Sequence, residues 1–199
     1  ELELLSFGDT SYGHLHALPW IQDILSSDNF ATIFILRDPR DVVVSHVHYV
    51  TDIEPNHVHH AYYTQVLHSF DERLNTSIVG RPDAAHPFPD IAGRFAPFVG
   101  WLGNAGVLTL KYENLMADPL TLSGQILDYV IKRGFPMTME KTKAVEVLVS
   151  RINPQKSPTF RKGKSGGWKN AFAQEHKDIF KEIAGQLLID LGYEKDTNW

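Results

Sequence analysis

The sequence predicts an α/β domain in three layers, helices on both faces of a parallel sheet, and three observations carry that expectation. Residues 31–37, Ala-Thr-Ile-Phe-Ile-Leu-Arg, form a short apolar run rich in β-branched side chains, and Asp38-Pro39 breaks it before a Val-rich segment that reaches Val50. That order reads as strand, tight turn and helix, with the strand buried on both faces. Residues 106–112, Gly-Val-Leu-Thr-Leu-Lys-Tyr, repeat the pattern of an apolar strand leading into a helical segment. Apolar residues recur at helical spacing between and after the two strands, so the connection is long enough for parallel pairing.

Taken in order, residues 2–7 are expected to form a short strand and 8–13 a polar loop. Residues 20–25 read as a short helix and Ser26-Ser27-Asp28-Asn29 as the turn before the first central strand. Pro39 suits the first turn of the next helix, because its fixed φ is already helical and an N–H there would be unpaired. Residues 51–61 are polar, carry Pro55, His57, His59 and His60, and read as a loop. From 62 to 76, Tyr63, Val66, Leu67, Phe70 and Leu74 fall on one face of a helix. Residues 79–90 form a Pro-rich loop long enough to wall a pocket, and 91–102 resume as a helix with Phe95, Phe98, Val99 and Leu102 on one side. An amphipathic helix over 119–133 turns Leu122, Ile126, Leu127, Val130 and Ile131 inward, and another spans 138–150. A closing helix from Asn170 carries Phe180, Ile183, Leu187 and Leu191 as its apolar stripe, with Gly192 as C-cap.

With 199 residues and 43% hydrophobic side chains, the chain can bury a full core as one domain, 1–199, and needs no second. A formal net charge of -5 argues against a nonspecific nucleic-acid binder, and no nucleic-acid partner is expected. With no Cys, disulfides, thiolate zinc sites and a Cys nucleophile are excluded, and the composition fits a reducing compartment. No run approaches the ~18 apolar residues of a membrane span. His46 and His48 stand two apart, about 200° around a helix, and so share no ligand face. His57, His59 and His60 lack a nearby Cys or acidic ligand to complete a set, and no metal is expected.

In an open α/β sheet, ligands meet the carboxyl ends of the strands. Arg37 ends the first central strand, and Ser45 lies eight residues later, two turns into the helix. A planar fork of donors with a hydroxyl suits a phosphate monoester. The segment that holds them, Arg37-Asp38-Pro39-Arg40-Asp41-Val42-Val43-Val44-Ser45-His46-Val47-His48-Tyr49, resembles the 3'-phosphate-binding segment of sulfotransferases that use 3'-phosphoadenosine 5'-phosphosulfate (PAPS). The resemblance implies a P-loop-NTPase-like fold related to the nucleotide kinases, with Arg37 and Ser45 holding the nucleotide's 3'-phosphate.

Two further segments follow in the family's order. Lys111-Tyr112-Glu113-Asn114-Leu115, with Asp118-Pro119 after it, is similar to the segment in which a strand ends in Tyr-Glu-Asp-Leu, and this places Tyr112 near the nucleotide. Arg161-Lys162-Gly163, then Gly166-Gly167-Trp168-Lys169, resembles the family's C-terminal nucleotide-binding loop. The implied roles are an Arg161 side chain and amides at Lys162 and Gly163 that reach the same 3'-phosphate. A Gly-rich loop can bring several donors to one dianion, and Trp168 would anchor it. Gly163-Lys164-Ser165 mimics the end of a Walker A motif, but the earlier Gly falls at Pro158, which excludes that reading. The family's catalytic base is a His in a loop about twenty residues before the phosphate-binding Arg. Gly13-His14-Leu15 matches best, His14 standing twenty-three positions before Arg37, with His16 as second choice. The chemistry wants a neutral imidazole beside the acceptor hydroxyl.

The resemblance thus implies an enzyme that transfers a sulfuryl group from PAPS to a hydroxyl or amine of a small-molecule acceptor, giving adenosine 3',5'-bisphosphate, without a metal and in the cytoplasm. The family's first motif, a Gly-rich Lys-Ser/Thr-Gly-Thr turn that binds the 5'-phosphosulfate, has no counterpart upstream of His14, and the chain opens with Glu-Leu-Glu. The expectation is a C-terminal portion of a longer domain, feebly active or inactive alone, since loss of such electrostatic stabilisation costs orders of magnitude in rate. Ser150-Arg151 stands where the family's adenine-stacking Phe is expected, and no Lys-Thr-Val-Glu type dimer motif follows Trp168. The alternatives are a noncatalytic nucleotide-binding relative that has lost the transfer loop and an ATP-using kinase relative, against which the 3'-phosphate ligands argue.

Overall fold

A computed structural model of the chain describes residues 5–6, 8–156 and 163–199. The chain is α/β with a parallel sheet. It divides into two compact units, the first made of Glu1–Ile35, Pro97–Leu110 and Ala117–Ile152, the second of Leu36–Ala96, Lys111–Met116 and Asn153–Trp199.

The first unit contains α1 (Pro19–Leu25), strands β1 (Thr32–Leu36) and β2 (Val107–Lys111) except for the last residue of each, and the helices named below as α6 and α7. β1 and β2 are hydrogen-bonded neighbours in a two-stranded sheet. Ile21, Leu25, Trp101 and Val107 form its apolar cluster, with Ala17, Phe30, Phe34 and Phe98 against it. Burial of each such side chain contributes roughly 1.5–3 kcal/mol. The two faces of β1 are unequally covered: Phe34 joins this cluster, whereas on the opposite pleat Ile33 is half-buried and Ile35 is 54% exposed. The reading of a strand buried on both faces is corrected to that extent. The strand expected over 2–7 lies outside the described residues except for Leu5 and Ser6, which are not in a strand.

α6 (Pro119–Lys132) starts at Asp118, whose carboxylate accepts the Thr121 amide, and it buries Leu122, Ser123 and Leu127. Its far end is tied to the turn before β1: Arg133 donates to the carbonyls of Ser27 and Gly106 at 2.9 and 2.8 Å. Gly106 is required there, since a Cβ would stand 2.5 Å from the Ser26 carbonyl oxygen. α7 (Lys141–Arg151) begins later than the spacing predicts because Glu140 caps it, accepting the Lys143 amide.

The second unit is built on α2 (Pro39–His48). Pro39 occupies its first turn, and the Asp38 side chain caps it by accepting the Arg40 amide at 2.9 Å. Val43, Val44, Val47 and Val50 point into a core completed by Tyr63, Leu74, Ile78, Ile91, Phe180 and Leu188. The chain runs past α2 as a π-helical turn, Tyr49–Ile53, so the polar loop begins later than residue 51. The helix expected over 62–76 is two pieces: a π-helical turn at Tyr62–Val66, then α3 (Phe70–Val79). Ser69 causes the break, since its hydroxyl accepts the Glu72 amide while Glu72 accepts the Ser69 amide, a capping box that starts a new helix. The helix expected over 91–102 is likewise only α4 (Ile91–Phe95), with a separate 3-10 turn at Val99–Trp101 in the first unit. Pro97 intervenes, and it supplies no N–H and disfavours helix at the residue before it. α5 (Tyr112–Ala117) follows β2 directly. α8 (Trp168–Ala171) and α9 (Gln174–Asp190) close the unit, and Gly192, at φ +67°, follows the last turn of α9. Among the described residues no helix is long and apolar enough to cross a membrane.

Candidate functional site

Within the second unit, the residues that follow the two strands are joined. The Arg37 guanidinium carbon lies 4.9 Å from the centre of the Tyr112 ring, and the Asp38 amide donates to Glu113 Oε1 at 2.9 Å. Glu113 Oε2 accepts the Tyr193 hydroxyl at 2.9 Å. Burial, and then the charge and acceptance of Glu113, push the Tyr193 phenol well above its usual range, so it stays a donor. Arg37 is half-buried, and its Nε has no hydrogen-bond partner among the described residues. A desolvated guanidinium N–H without a partner is costly, and an anion would satisfy it.

The glycine-rich segment comes to the same helix. Asp41, in the first turn of α2 and buried, accepts the Gly166 amide on Oδ2 at 2.6 Å and the Trp168 amide on Oδ1 at 2.9 Å. Gly166 makes the approach with φ +76°, a conformation that a side chain disfavours. Residues four apart share a helix face, so Asp41 holds residues 166–168 on the side of α2 that carries Ser45. Gly163 is half-buried with φ +56°, Lys164 and Ser165 are exposed, and the Trp168 ring is buried as an anchor. Arg161 and Lys162 lie outside the described residues.

Asp41 is the residue that sequence reasoning missed. Its partners are backbone amides 125 and 127 positions away, which no local pattern announces. The available signal was an acidic residue one turn before Ser45 in a segment otherwise suited to an anion.

His14 and His16 belong to the first unit, in an exposed stretch before α1. Both rings meet Phe98 edge-on, at 6.4 Å for His14 and 5.1 Å for His16. The aromatic contact is closer for the second-choice residue, and neither imidazole has a hydrogen-bond partner among the described residues.

The remaining histidines do not gather as ligands. His48 Nδ1 meets Asp52 at 2.7 Å, and His46 Nδ1 lies 3.0 Å from the Ser77 hydroxyl. Ser77 gives its proton to the Val43 carbonyl, so His46 Nδ1 carries the hydrogen and donates to Ser77. The His46 ring is surrounded by His57, Tyr63 and Phe88 at 6.1, 5.7 and 5.6 Å. Burial, with the nearby Arg94, His57 and His59 charges, pulls His46 down to about 3, and burial lowers His57 and His59 too. Among the described residues no three His, Cys, Asp or Glu side chains form a set able to hold a metal.

The geometry offers an anion a guanidinium at a strand end, a hydroxyl one turn beyond the Asp41 tether, and a glycine-rich segment on the same helix face. Comparison with known proteins finds sulfotransferases. Flavonol 3-sulfotransferase of Flaveria bidentis is 24% identical over 209 residues, covering 90% of this chain and 60% of that protein. Sulfotransferase 6B1 of Mus musculus is 30% identical over 201 residues, covering 91% of this chain and 60% of that protein. The chain thus spans about 60% of the length of the curated relatives it matches. In fold it is similar to retinol dehydratase, solved with androsterone and the inactive cofactor PAP, with a TM-score of 0.61, 17% identity, and coverage of 94% of this chain and 55% of that one. Mouse sulfotransferase SULT7A1, solved with PAP, gives 0.60 at 16% identity, covering 93% of this chain and 69% of that one. The sulfotransferase domain profile matches residues 12–192, and the chain belongs to that family.

Proposed function

We propose that this chain carries the 3'-phosphate half of the nucleotide site of a PAPS-dependent sulfotransferase acting on a small-molecule acceptor in the cytoplasm. Arg37, Ser45, Arg161, Lys162 and Gly163 hold the 3'-phosphate, and Tyr112 lies by the nucleotide. The acceptor oxygen or nitrogen bonds to sulfur as the bond between sulfur and the 5'-phosphate oxygen breaks. The electron pair leaves with that phosphate, and the acceptor proton passes to His14, giving adenosine 3',5'-bisphosphate. As in phosphoryl transfer, positioning and charge stabilisation supply most of the rate.

The observation that supports the reading is the Asp41 tether, which ties Gly166 and Trp168 to the helix that bears Ser45. The relatives' names support a hydroxylated small molecule such as a flavonol as acceptor. A noncatalytic nucleotide-binding relative would share the same residues, and sulfuryl transfer to an added phenol by a form of the protein that carries a Gly-rich, Lys-bearing 5'-phosphosulfate turn distinguishes the two.

The test is a thermal-shift titration with adenosine 3',5'-bisphosphate against 5'-AMP, repeated on Arg37→Ala. The bisphosphate alone is expected to raise Tm in the parent chain. The substitution is expected to remove that rise, since loss of charge-assisted bonds to phosphate weakens binding by about 100-fold. Equal shifts with both nucleotides would count against the proposal.

A further inference from the structure

The arginine in the first turn of α2 is already committed to the protein. Arg40 is 3% exposed, and its guanidinium sits in the corner between two indoles set edge to face, 3.9 Å from the Trp168 ring centre and 4.6 Å from that of Trp199. Its edges are held as well. Nη2 meets Asp38 Oδ2 at 2.8 Å and Nη1 meets Glu194 Oε1 at 2.5 Å. Burial alone would lower its affinity for the proton, but the bonds and charges of Asp38 and Glu194 outweigh that and raise it. The segment 192–199 is fastened nearby at two more points, Lys111 Nζ donating to the Gly192 carbonyl at 2.7 Å and Tyr193 to Glu113.

We infer that Trp199 and Glu194 are positioning residues for the glycine-rich segment, acting through Arg40 on Trp168. A segment with glycines at 163, 166 and 167 has wide conformational freedom, and its two amide bonds to Asp41 fix it only if Trp168 stays in place. Trp168 is held on one face by Arg40, and Trp199 meets its ring edge-on at 5.5 Å. Arg40 in turn is aimed by Glu194 on one side and Asp38 on the other. The clamp therefore pre-organises residues 163–168 against α2, and it rests on the reading above for what the segment grips.

The test is amide hydrogen exchange in the whole chain for Trp199→Ala, Trp199→Phe and Glu194→Gln. Loss of the Trp199 ring from that corner is expected to speed exchange at Gly166 and Trp168 by about tenfold in Trp199→Ala, with amides of α3 near Leu74 and Ile78 unchanged. Trp199→Phe is expected to restore most of the protection, and Glu194→Gln, which keeps an acceptor without the charge, to raise exchange a few-fold. Unchanged exchange at Gly166 and Trp168 in Trp199→Ala would overturn the inference. So would an equal rise in α3, which would make Trp199 a core residue only. Added adenosine 3',5'-bisphosphate is expected to slow exchange over 163–168 in the parent chain. Failure of that arm alone would count against the nucleotide reading and leave the clamp standing.

Discussion

Replacing Asp41 with alanine is expected to lower the unfolding free energy by about 3 kcal/mol and to free residues 163–168 from α2. The carboxylate is buried and each oxygen accepts one backbone amide, so the substitution removes two charge-assisted bonds together. The Trp168 amide, buried with its ring, would be left without an acceptor, and a buried unsatisfied donor costs more than the net worth of the bond it loses. Asp41→Asn keeps one acceptor oxygen and turns an N–H₂ toward the other amide, so an intermediate loss is expected. Urea denaturation of the three proteins measures the order. A second readout separates the site from mere stability: Asp41→Ala should lose the preference for adenosine 3',5'-bisphosphate over 5'-AMP at temperatures where it remains folded. An alanine variant as stable as the parent would show that the tether contributes little.

The stability of the second unit is expected to fall as pH drops from about 6.5 toward 4, with His46 as the principal cause. Burial, reinforced by the charges of Arg94, His57 and His59, holds the folded imidazole down to about 3, against an ordinary 6.5. Tyr63, the other titratable ring against it, stays neutral, its phenol pushed up by burial. Between those pH values the unfolded chain binds a proton at this position and the folded chain does not. Stability is therefore complete above the unfolded value and declines as pH falls through the window, by up to about 1.4 kcal/mol per pH unit. His57 and His59 shift in the same direction and add to the slope. His46→Gln retains a donor for Ser77 but does not titrate, so its urea-denaturation profile from pH 8 to 4 should be flatter than the parent's. Parallel profiles would assign the acid sensitivity to other groups.

What the sequence made legible was local. The β-branched run ending at Arg37, the Asp-Pro break and the Val-rich segment specify β1, a capped turn and α2 with no distant information. Gly192 marked the end of α9 by the same kind of signal. The break before α3 was also written locally, as Ser69 and Glu72 three residues apart, but the apolar spacing of Tyr63, Leu67 and Leu74 spans it, and that spacing is kept because both pieces face one core. Tertiary wiring was out of reach. Arg40 lies three residues after Arg37 in sequence, yet its partners are Asp38 beside it and Glu194, Trp168 and Trp199 far along the chain. Ile35 looked like core because composition does not say which faces of a strand are covered.

The central claim is that the 3'-phosphate is the group gripped at Arg37 and Ser45, and phosphorus NMR of adenosine 3',5'-bisphosphate titrated with the chain tests it most directly. The 3'-phosphate resonance is predicted to shift and broaden on binding more than the 5' resonance, and to stay at its free position with Arg37→Ala. Movement of the 5' resonance alone, retained in Arg37→Ala, would contradict the assignment of these residues.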